Sequence, residues 1–264
     1  MMLTVSQLSV KEKTGRLLLN EVSIKIMPGR VVGLTGHSGS GKTTLLRSVF
    51  GMLHRDCQIS SGEILLNDKE ISRLSQKEHR ELCGKTISYI PQAPMTAFDS
   101  RLKIGCQIQE TFRKRLKLDK TAASQLAKDM LSLVNLKDTH RILNAYPVEL
   151  SGGMLQRVAA AILLGMSPDY ILADEPTAAL DEENRNLLLE VMRTQMRDKG
   201  ILLVSHDVEA LRGLCDTVYV LGAGTIIEQG SMEQLLSAPK TEWMKHFSGL
   251  NKKESRGEWK WEKL

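Results

Sequence analysis

A glycine-rich loop, Gly36-His37-Ser38-Gly39-Ser40-Gly41-Lys42-Thr43, limits the folds open to this chain more than any other feature. It satisfies the pattern G-x-x-x-x-G-K-[ST], and its surroundings fit. A short β-branched run over residues 31–35 leads into it, and Leu45, Leu46, Val49, Phe50 and Leu53 recur at helical spacing after it. Strand, loop and helix in that order make a phosphate cradle. The glycines let consecutive backbone amides curl around a β-phosphate, Lys42 balances charge on the β and γ oxygens, and the Thr43 hydroxyl suits Mg2+. Gly36, Ser38, Gly39, Ser40, Gly41, Lys42, Thr43 and the adjoining Thr44 are therefore the candidate nucleotide contacts. His37 offers mainly its backbone.

The remaining segments alternate as such a loop requires. Apolar runs at 170–173, 201–204 and 217–221 suit buried parallel strands. Residues 184–198 place Leu187, Leu188, Val191, Met192 and Met196 on one helical side, closed by Gly200. Gly222-Ala223-Gly224 followed by residues 225–227 reads as a turn and a returning strand, while 3–10 and 22–26 form an antiparallel N-terminal β piece. Alternating strands and helices predict an α/β fold with a wound parallel sheet. Residues 108–134, rich in Lys, Gln, Leu and Ala and free of proline, interrupt it as a helical insert. The predicted boundaries are 1–92 and 161–237 for the nucleotide-binding core, 93–160 for the helical subdomain and 238–264 for a C-terminal tail.

Chemistry collects at strand ends. Asp174 follows an apolar strand and emerges beside the phosphates, where a carboxylate can hold hydrated Mg2+. Glu175 points differently from its neighbour and can polarise a water for attack on a γ-phosphate. Alone, such an acidic pair fits a helix cap or a solvated edge equally well. Gln92, after the strand 86–90, can reach metal or water because an amide both donates and accepts. His206, after the strand 201–204, can hydrogen-bond a γ-phosphate, although a lone histidine there is more often structural. Convergence of Lys42, Gln92, Asp174 with Glu175, and His206 on one place argues for a site. Ser151 precedes Met154, Leu155, Val158 and Ile162 at helical spacing and reads as the cap of a second phosphate-seeking helix end. One nucleotide seldom needs two, so Ser151-Gly152-Gly153 suggests a nucleotide held by another chain.

Bulk properties exclude several classes. With 264 residues the chain can bury a substantial core without staples. Cys57, Cys83, Cys106 and Cys215 lack the spacing of a zinc site or disulfide framework and fit reduced cytosolic thiols. No apolar run approaches a membrane span and the N-terminal residues do not read as a signal peptide, which predicts a soluble, cytoplasmic chain. A net charge of +5 permits anionic partners without demanding them. Only residues 251–261, with Lys252, Lys253, Arg256, Lys260 and the flanking Trp259 and Trp261, form a basic stretch. It reads as a solvated tail in preference to a membrane-surface or docking segment.

In order, the phosphate loop, Leu150-Ser151-Gly152-Gly153-Met154-Leu155-Gln156-Arg157, Leu172-Ala173-Asp174-Glu175-Pro176-Thr177, Ala179-Leu180-Asp181 and Ser205-His206-Asp207 resemble ABC transporter ATPase subunits over nearly all of residues 1–237. That resemblance implies a P-loop NTPase (RecA-like) fold and ATP with Mg2+ as ligands. It makes Glu175, His206 and Gln92 the catalytic group, and Thr43, Gln92 and Asp174 the metal contacts. Gln92 becomes the Q-loop glutamine, Asp181 part of the D-loop, His206 the switch histidine, and Ser151-Gly152-Gly153 the signature that closes on a partner subunit's ATP. Residues 146–154 and 94–99 are similar to the peptide and nickel importer branch, and Ala97-Phe98-Asp99 to its nickel or metal-chelate members, where peptide members more often show Ser-Leu-Asn. Residues 1–30 contain no Phe, Tyr or Trp, so the family's adenine-stacking aromatic is missing there and base recognition is either looser or made by apolar and cationic contacts.

The implied setting is the cytoplasmic face of a bacterial membrane. Partners would be a second ABC ATPase subunit, identical or different, transmembrane permease subunits touching residues 93–104, and indirectly an extracytoplasmic substrate-binding protein, with no nucleic acid. The implied function is to energise uptake of nickel, a metal chelate or peptides. A soluble ABC ATPase acting on nucleic acid or ribosomes is the competing class, but residues 43–151 leave no space for the insertions such proteins carry.

Overall fold

The computed structural model describes residues 2–249, so the predicted tail with Trp259 and Trp261 lies outside the described residues. In chain order, β1 (Leu3–Glu12) and β2 (Leu17–Ile26) precede β3 (Val31–Thr35), α1 (Lys42–Phe50), β4 (Cys57–Leu66), β5 (Lys69–Glu70), α2 (Gln76–Leu82) and β6 (Ile87–Ile90). A helical stretch follows, comprising a 3-10 turn (Pro94–Ala97), α3 (Ile104–Leu116), α4 (Lys120–Leu133), α5 (Thr139–Asn144) and α6 (Gly152–Met166). Strands and helices then alternate through β7 (Tyr170–Asp174), α7 (Glu182–Gln195), β8 (Gly200–Val204), α8 (Val208–Leu214), β9 (Thr217–Gly222), β10 (Thr225–Gly230), α9 (Met232–Ser237) and α10 (Glu242–Phe247).

Two sheets result. The six-stranded sheet runs β10-β9-β3-β8-β7-β6, parallel throughout except for β10, which returns antiparallel beside β9. The antiparallel sheet runs β2-β1-β4-β5. Strand alternation assigns each face of the parallel sheet to its own core. Tyr170, Leu172, Leu202 and Val204 pack with Leu45, Leu46 and Val49 of α1 and with the inner face of the antiparallel sheet. Ile171, Ala173, Ile201 and Leu203 pack with the helices, including Phe112, Leu131, Leu155 and Val158. Because period-2 alternation is apolar on both sides, these strands read as continuous apolar runs.

The helical insert shares this second core. Phe112 of α3 is fully buried against α6, where a Cβ on Gly165 would lie 2.4 Å from the Phe112 ring. The insert is two helices where one periodic stretch was predicted. Lys117 adopts φ 62° at the end of α3, and the Asp119 carboxylate accepts from the Ala122 amide at 2.8 Å to start α4. Helix α6 runs on to Met166, so the boundary predicted at residue 160 falls inside a helix. Helix α7 begins at Glu182, capped by Asp181, and Gly200 opens β8, where it was expected to close the helix.

Phe112→Ala should lower the free energy of unfolding by about 3–5 kcal/mol, because Gly165 offers no side chain to fill the void. Urea unfolding followed by circular dichroism measures it.

Candidate nucleotide site

Four strand ends open into one cleft of about 350 Å³. It is lined by Ser38, Gly39, Gly41, Lys42, Thr43 and Thr44 of the loop and helix start, by Gln92, Asp174, Glu175 and His206, and by Arg16, Leu17, Leu18, Ala223 and Gly224. Gly41 precedes α1 with φ 106°, and a Cβ there would lie 2.8 Å from the Leu18 carbonyl oxygen, so only glycine fits. Helix α1 begins without a side-chain cap, which suits its first turn to an anion. Gly36 and Ser40 shape the loop without lining the cleft. The Ser40 carbonyl accepts from the Gly224 amide at 3.0 Å, and its side chain is buried.

Lys42 Nζ donates to the carbonyls of Gly36 at 2.7 Å and His37 at 2.9 Å, bridging the loop. Burial lowers its pKa, opposed by the carboxylates of Glu175 and Asp174. Asp174 is 2% exposed, and its Oδ2 accepts from Thr43 Oγ1 at 3.0 Å and from the Tyr89 hydroxyl at 3.1 Å. Burial first, and then Asp174, push the Tyr89 phenol up to about 12, so it stays a protonated donor. The Thr43 hydroxyl, the Asp174 carboxylate and the Gln92 amide present hard oxygen donors to one cleft. Among the described residues no cluster of three or more His, Cys, Asp or Glu could cage a metal. This sparse set fits Mg2+ shared with phosphate oxygens and water.

Glu175 is strained. Its φ of 51° is left-handed, a conformation costing a side-chain-bearing residue about 1–3 kcal/mol. Its amide donates to the Val204 carbonyl at 3.0 Å, and its carbonyl accepts from Gln156 Nε2 at 3.1 Å. Burial raises the carboxyl pKa above the ordinary glutamate value of 4.5, with the His206 backbone amide and Lys42 opposing. His206 Nε2 stands 3.3 Å from Glu175 Oε1. Burial, then Lys42, lowers the imidazole pKa, so at neutral pH the imidazole is uncharged and this contact lacks ion-pair character. A neutral histidine can hydrogen-bond a phosphate oxygen or hold a water beside Glu175.

Ser151, Gly152, Gly153 and Asp181 do not line this cleft. Ser151 Oγ accepts from the Met154 amide at 3.2 Å and caps α6, with Ser151 and Gly152 exposed. Asp181 caps α7, and the Asn184 backbone amide and side chain hold its carboxyl below the usual range. The structure thus gathers the loop, Gln92, Asp174, Glu175 and His206, and sets the second helix end apart. Tyr89 and Gln156 carry contacts that sequence reasoning did not assign. Strand alternation placed Tyr89 on the α1 side of β6 with Ile87, and Gln156 is a polar residue between the buried Leu155 and Val158.

Comparison with known proteins bears directly on this arrangement. The family profile described as "ABC transporter" matches residues 19–178, more than half of the chain. The chain belongs to the ABC transporter family. It is 35% identical over 225 residues to the probable D,D-dipeptide transport ATP-binding protein DdpD of Escherichia coli K12, covering 84% of this chain and 69% of that protein. It is 32% identical over 255 residues to the metal-staphylopine import system ATP-binding protein CntD of Staphylococcus aureus NCTC 8325, covering 96% and 94%. The dimeric structure of the bacterial ABC transporter cassette MJ0796 superposes with a TM-score of 0.78 at 24% identity, over 87% of this chain and 98% of that one. The cassette fold, an α/β core with an antiparallel N-terminal sheet, agrees with the sequence reading, and the chain is an ABC-type ATPase subunit.

Glu175 sets stability against function in this ABC subunit. Its folded-state pKa is raised above the unfolded value, so its contribution favours folding while protonated, below about 4.5, and is lost as pH rises through the folded value. Glu175→Gln should therefore raise the melting temperature of the nucleotide-free chain by a few degrees at neutral pH. The gain should shrink as pH falls toward 4.5, read by scanning calorimetry across that range.

Proposed function

We propose that this chain is the ATP-hydrolysing subunit of a binding-protein-dependent importer, peripheral at the cytoplasmic face of a membrane, and that it energises uptake of a metal chelate. The observation that carries this reading is the division of labour: one cleft holds Lys42, Gln92, Asp174, Glu175 and His206, while the α6 start at Ser151 is exposed elsewhere. A cleft that hydrolyses ATP with only its own groups would leave that second helix end without use. Two subunits arranged head to tail would give each nucleotide a loop from one chain and Ser151-Gly152-Gly153 from the other.

Within the cleft, Lys42 and the loop amides would bind the phosphates, and Thr43, Asp174 and Gln92 would hold Mg2+. The chemistry such a metal would supply is positive charge against the phosphates. Glu175 takes the proton of the attacking water, and its raised pKa brings it nearer the working pH. His206 holds that water or the γ-phosphate. Arg16, Leu17 and Leu18 line the cleft beside the loop and hold the base by cationic and apolar contact.

Residues 93–104 are the contact for the permease. Gln107 braces this loop, accepting from the Asp99 amide at 2.9 Å and donating to the carbonyls of Asp99 at 3.0 Å and Leu102 at 2.9 Å. Met95 and Leu102 stay exposed on it. Among the described residues no helix is long and apolar enough to cross a membrane. The metal-chelate reading draws on the match to the metal-staphylopine subunit along 94% of its length, and on Ala97-Phe98-Asp99. Peptide import is the second reading, supported by the D,D-dipeptide relative.

Glu175→Gln should keep ATP affinity, lower turnover by about 10²–10⁴-fold and accumulate as an ATP-bound dimer on gel filtration. Undiminished hydrolysis would overturn its assignment as the base. For the substrate, cells lacking this chain should lose uptake of chelated transition metal and retain peptide uptake, and the reverse pattern would select the peptide reading.

A further inference from the structure

A single side chain ties the exposed start of α6 to the interior of the nucleotide cleft. Gln156 is 1% exposed, and its Nε2 donates to the Glu175 carbonyl at 3.1 Å. The amide of Glu175 is held as well, donating to the Val204 carbonyl at 3.0 Å. Between these bonds Glu175 keeps its left-handed φ of 51°, which persists only where the surroundings over-determine it. The first turn of α6 also packs on the segment that follows Glu175, since a Cβ on Gly153 would lie 3.0 Å from the Ala179 carbonyl oxygen. Any shift of the α6 start therefore bears on Glu175 both through the loop after it and through the Gln156 amide.

Packing does not account for a glutamine at this position. The adjacent Leu155 and nearby Val158 lie in the apolar core, and the Gln156 Oε1 is buried without a hydrogen-bond partner. A buried acceptor lacking a donor costs stability, and methionine would fill a similar volume without that cost. What the glutamine alone supplies is the donor to the Glu175 carbonyl.

We propose that Gln156 is a positioning residue that couples ligand contact at Ser151-Gly152-Gly153 to the orientation of the Glu175 carboxylate. This coupling rests on Glu175 acting on the attacking water and on the α6 start closing over a partner's nucleotide. A ligand gripped at the α6 N-terminus pulls on the helix, Gln156 carries the shift to the Glu175 peptide, and the carboxylate is aimed only when the neighbouring site is filled. Hydrolysis at one site thereby depends on occupancy of the other.

The test is Gln156→Met in the full chain, assembled as the ATPase dimer. The chain should stay folded, with a thermal midpoint lowered by a few degrees at most for the lost bond to the Glu175 carbonyl, and with ATP affinity and KM unchanged. Turnover should fall on the order of 10- to 100-fold, the range expected for a misplaced reacting group. The Hill coefficient for ATP should drop toward one. Combined with Ser151→Ala, the loss should be no greater than that of the worse single variant, because both break one relay. Gln156→Leu, which also removes the donor and introduces no charge, should show the same turnover loss and serves if the methionine variant fails to fold. Full turnover with an unchanged Hill coefficient, or losses that simply multiply in the double variant, would overturn the coupling. If Glu175→Gln loses turnover while Gln156→Met does not, the base assignment stands and only the relay falls; if Glu175→Gln hydrolyses ATP normally, the underlying reading itself fails.

Discussion

Parallel register across β6, β7, β8 and β3 governs where every reacting group ends up. Ile90 pairs with Ala173, Asp174 with Val204, and Val204 with Leu34, so the strands finish in one row. The residues that follow this row are Gln92, Glu175, His206 and the phosphate loop. A one-residue slip would move a side chain by about 3.3 Å and turn it to the other face. Polarity cannot fix this register, because both faces are apolar. Size does so at one point: Gly200 lies beside Tyr170, where a Cβ would come within 2.6 Å of the ring. The smallest residue of one strand thus admits the largest of its neighbour, and shifting either leaves a clash on one side and a void on the other.

A second constraint is that the cleft concentrates groups that oppose folding. Asp174 and Glu175 are adjacent carboxylates withdrawn from water, and burial first, with the like charge of Asp174 adding to it, raises the cost of ionising Glu175. Lys42 counters both but is itself buried and depressed. Thr43 and Tyr89 spend their hydrogen bonds on a single oxygen of Asp174, and the Tyr89 ring leans on Phe50 with centroids 5.5 Å apart. The apolar core on the α1 side therefore stiffens the carboxylate through the phenol, as an apolar residue at position 89 could not. Phosphates and a metal would add the opposite charges that this arrangement lacks by itself.

The sequence made the parallel sheet and its strand ends readable because buried strands are short, uniformly apolar and followed at once by chemistry. It was silent where local signals were mixed. Residues 57–66 carry Ser60-Ser61-Gly62 in the middle, which reads as a turn, yet they form β4. Gly62 sits opposite a bulge at Gln7, with a Cβ position 2.3 Å from the Gln7 carbonyl oxygen, so the glycine serves a close approach. Helix α2 has few apolar residues to mark it by periodicity, and its one local signal is the capping box of Ser75 and Glu78 that the pattern S-x-x-E announces. Helical periodicity ran through 108–134 without registering the break, whose sign was Asp119 as a cap. In the site, the loop, Gln92, Asp174, Glu175 and His206 were legible because each follows a strand. Tyr89 and Gln156 were not, because each acts through a hydrogen bond to a residue far along the chain, 85 and 19 positions away.

Helix α6 belongs to both halves of the molecule, and this shapes what the chain can do alone. Its first turn is exposed and capped by Ser151, its middle is bound through Gln156 to the end of β7, and its last turn reaches the core beneath Phe112. Rigid-body movement of the helical layer relative to the parallel sheet is therefore not free, because the Gln156 amide would have to leave the Glu175 carbonyl or drag it along. The carbonyl cannot be moved without disturbing a peptide already held in a left-handed conformation. Such a peptide has few alternative positions, so small displacements resolve into aimed or unaimed states of the carboxylate with little between them. A site built this way responds to what is bound at the far end of the helix, and the free energy that aligns Glu175 comes in part from outside the cleft that contains it.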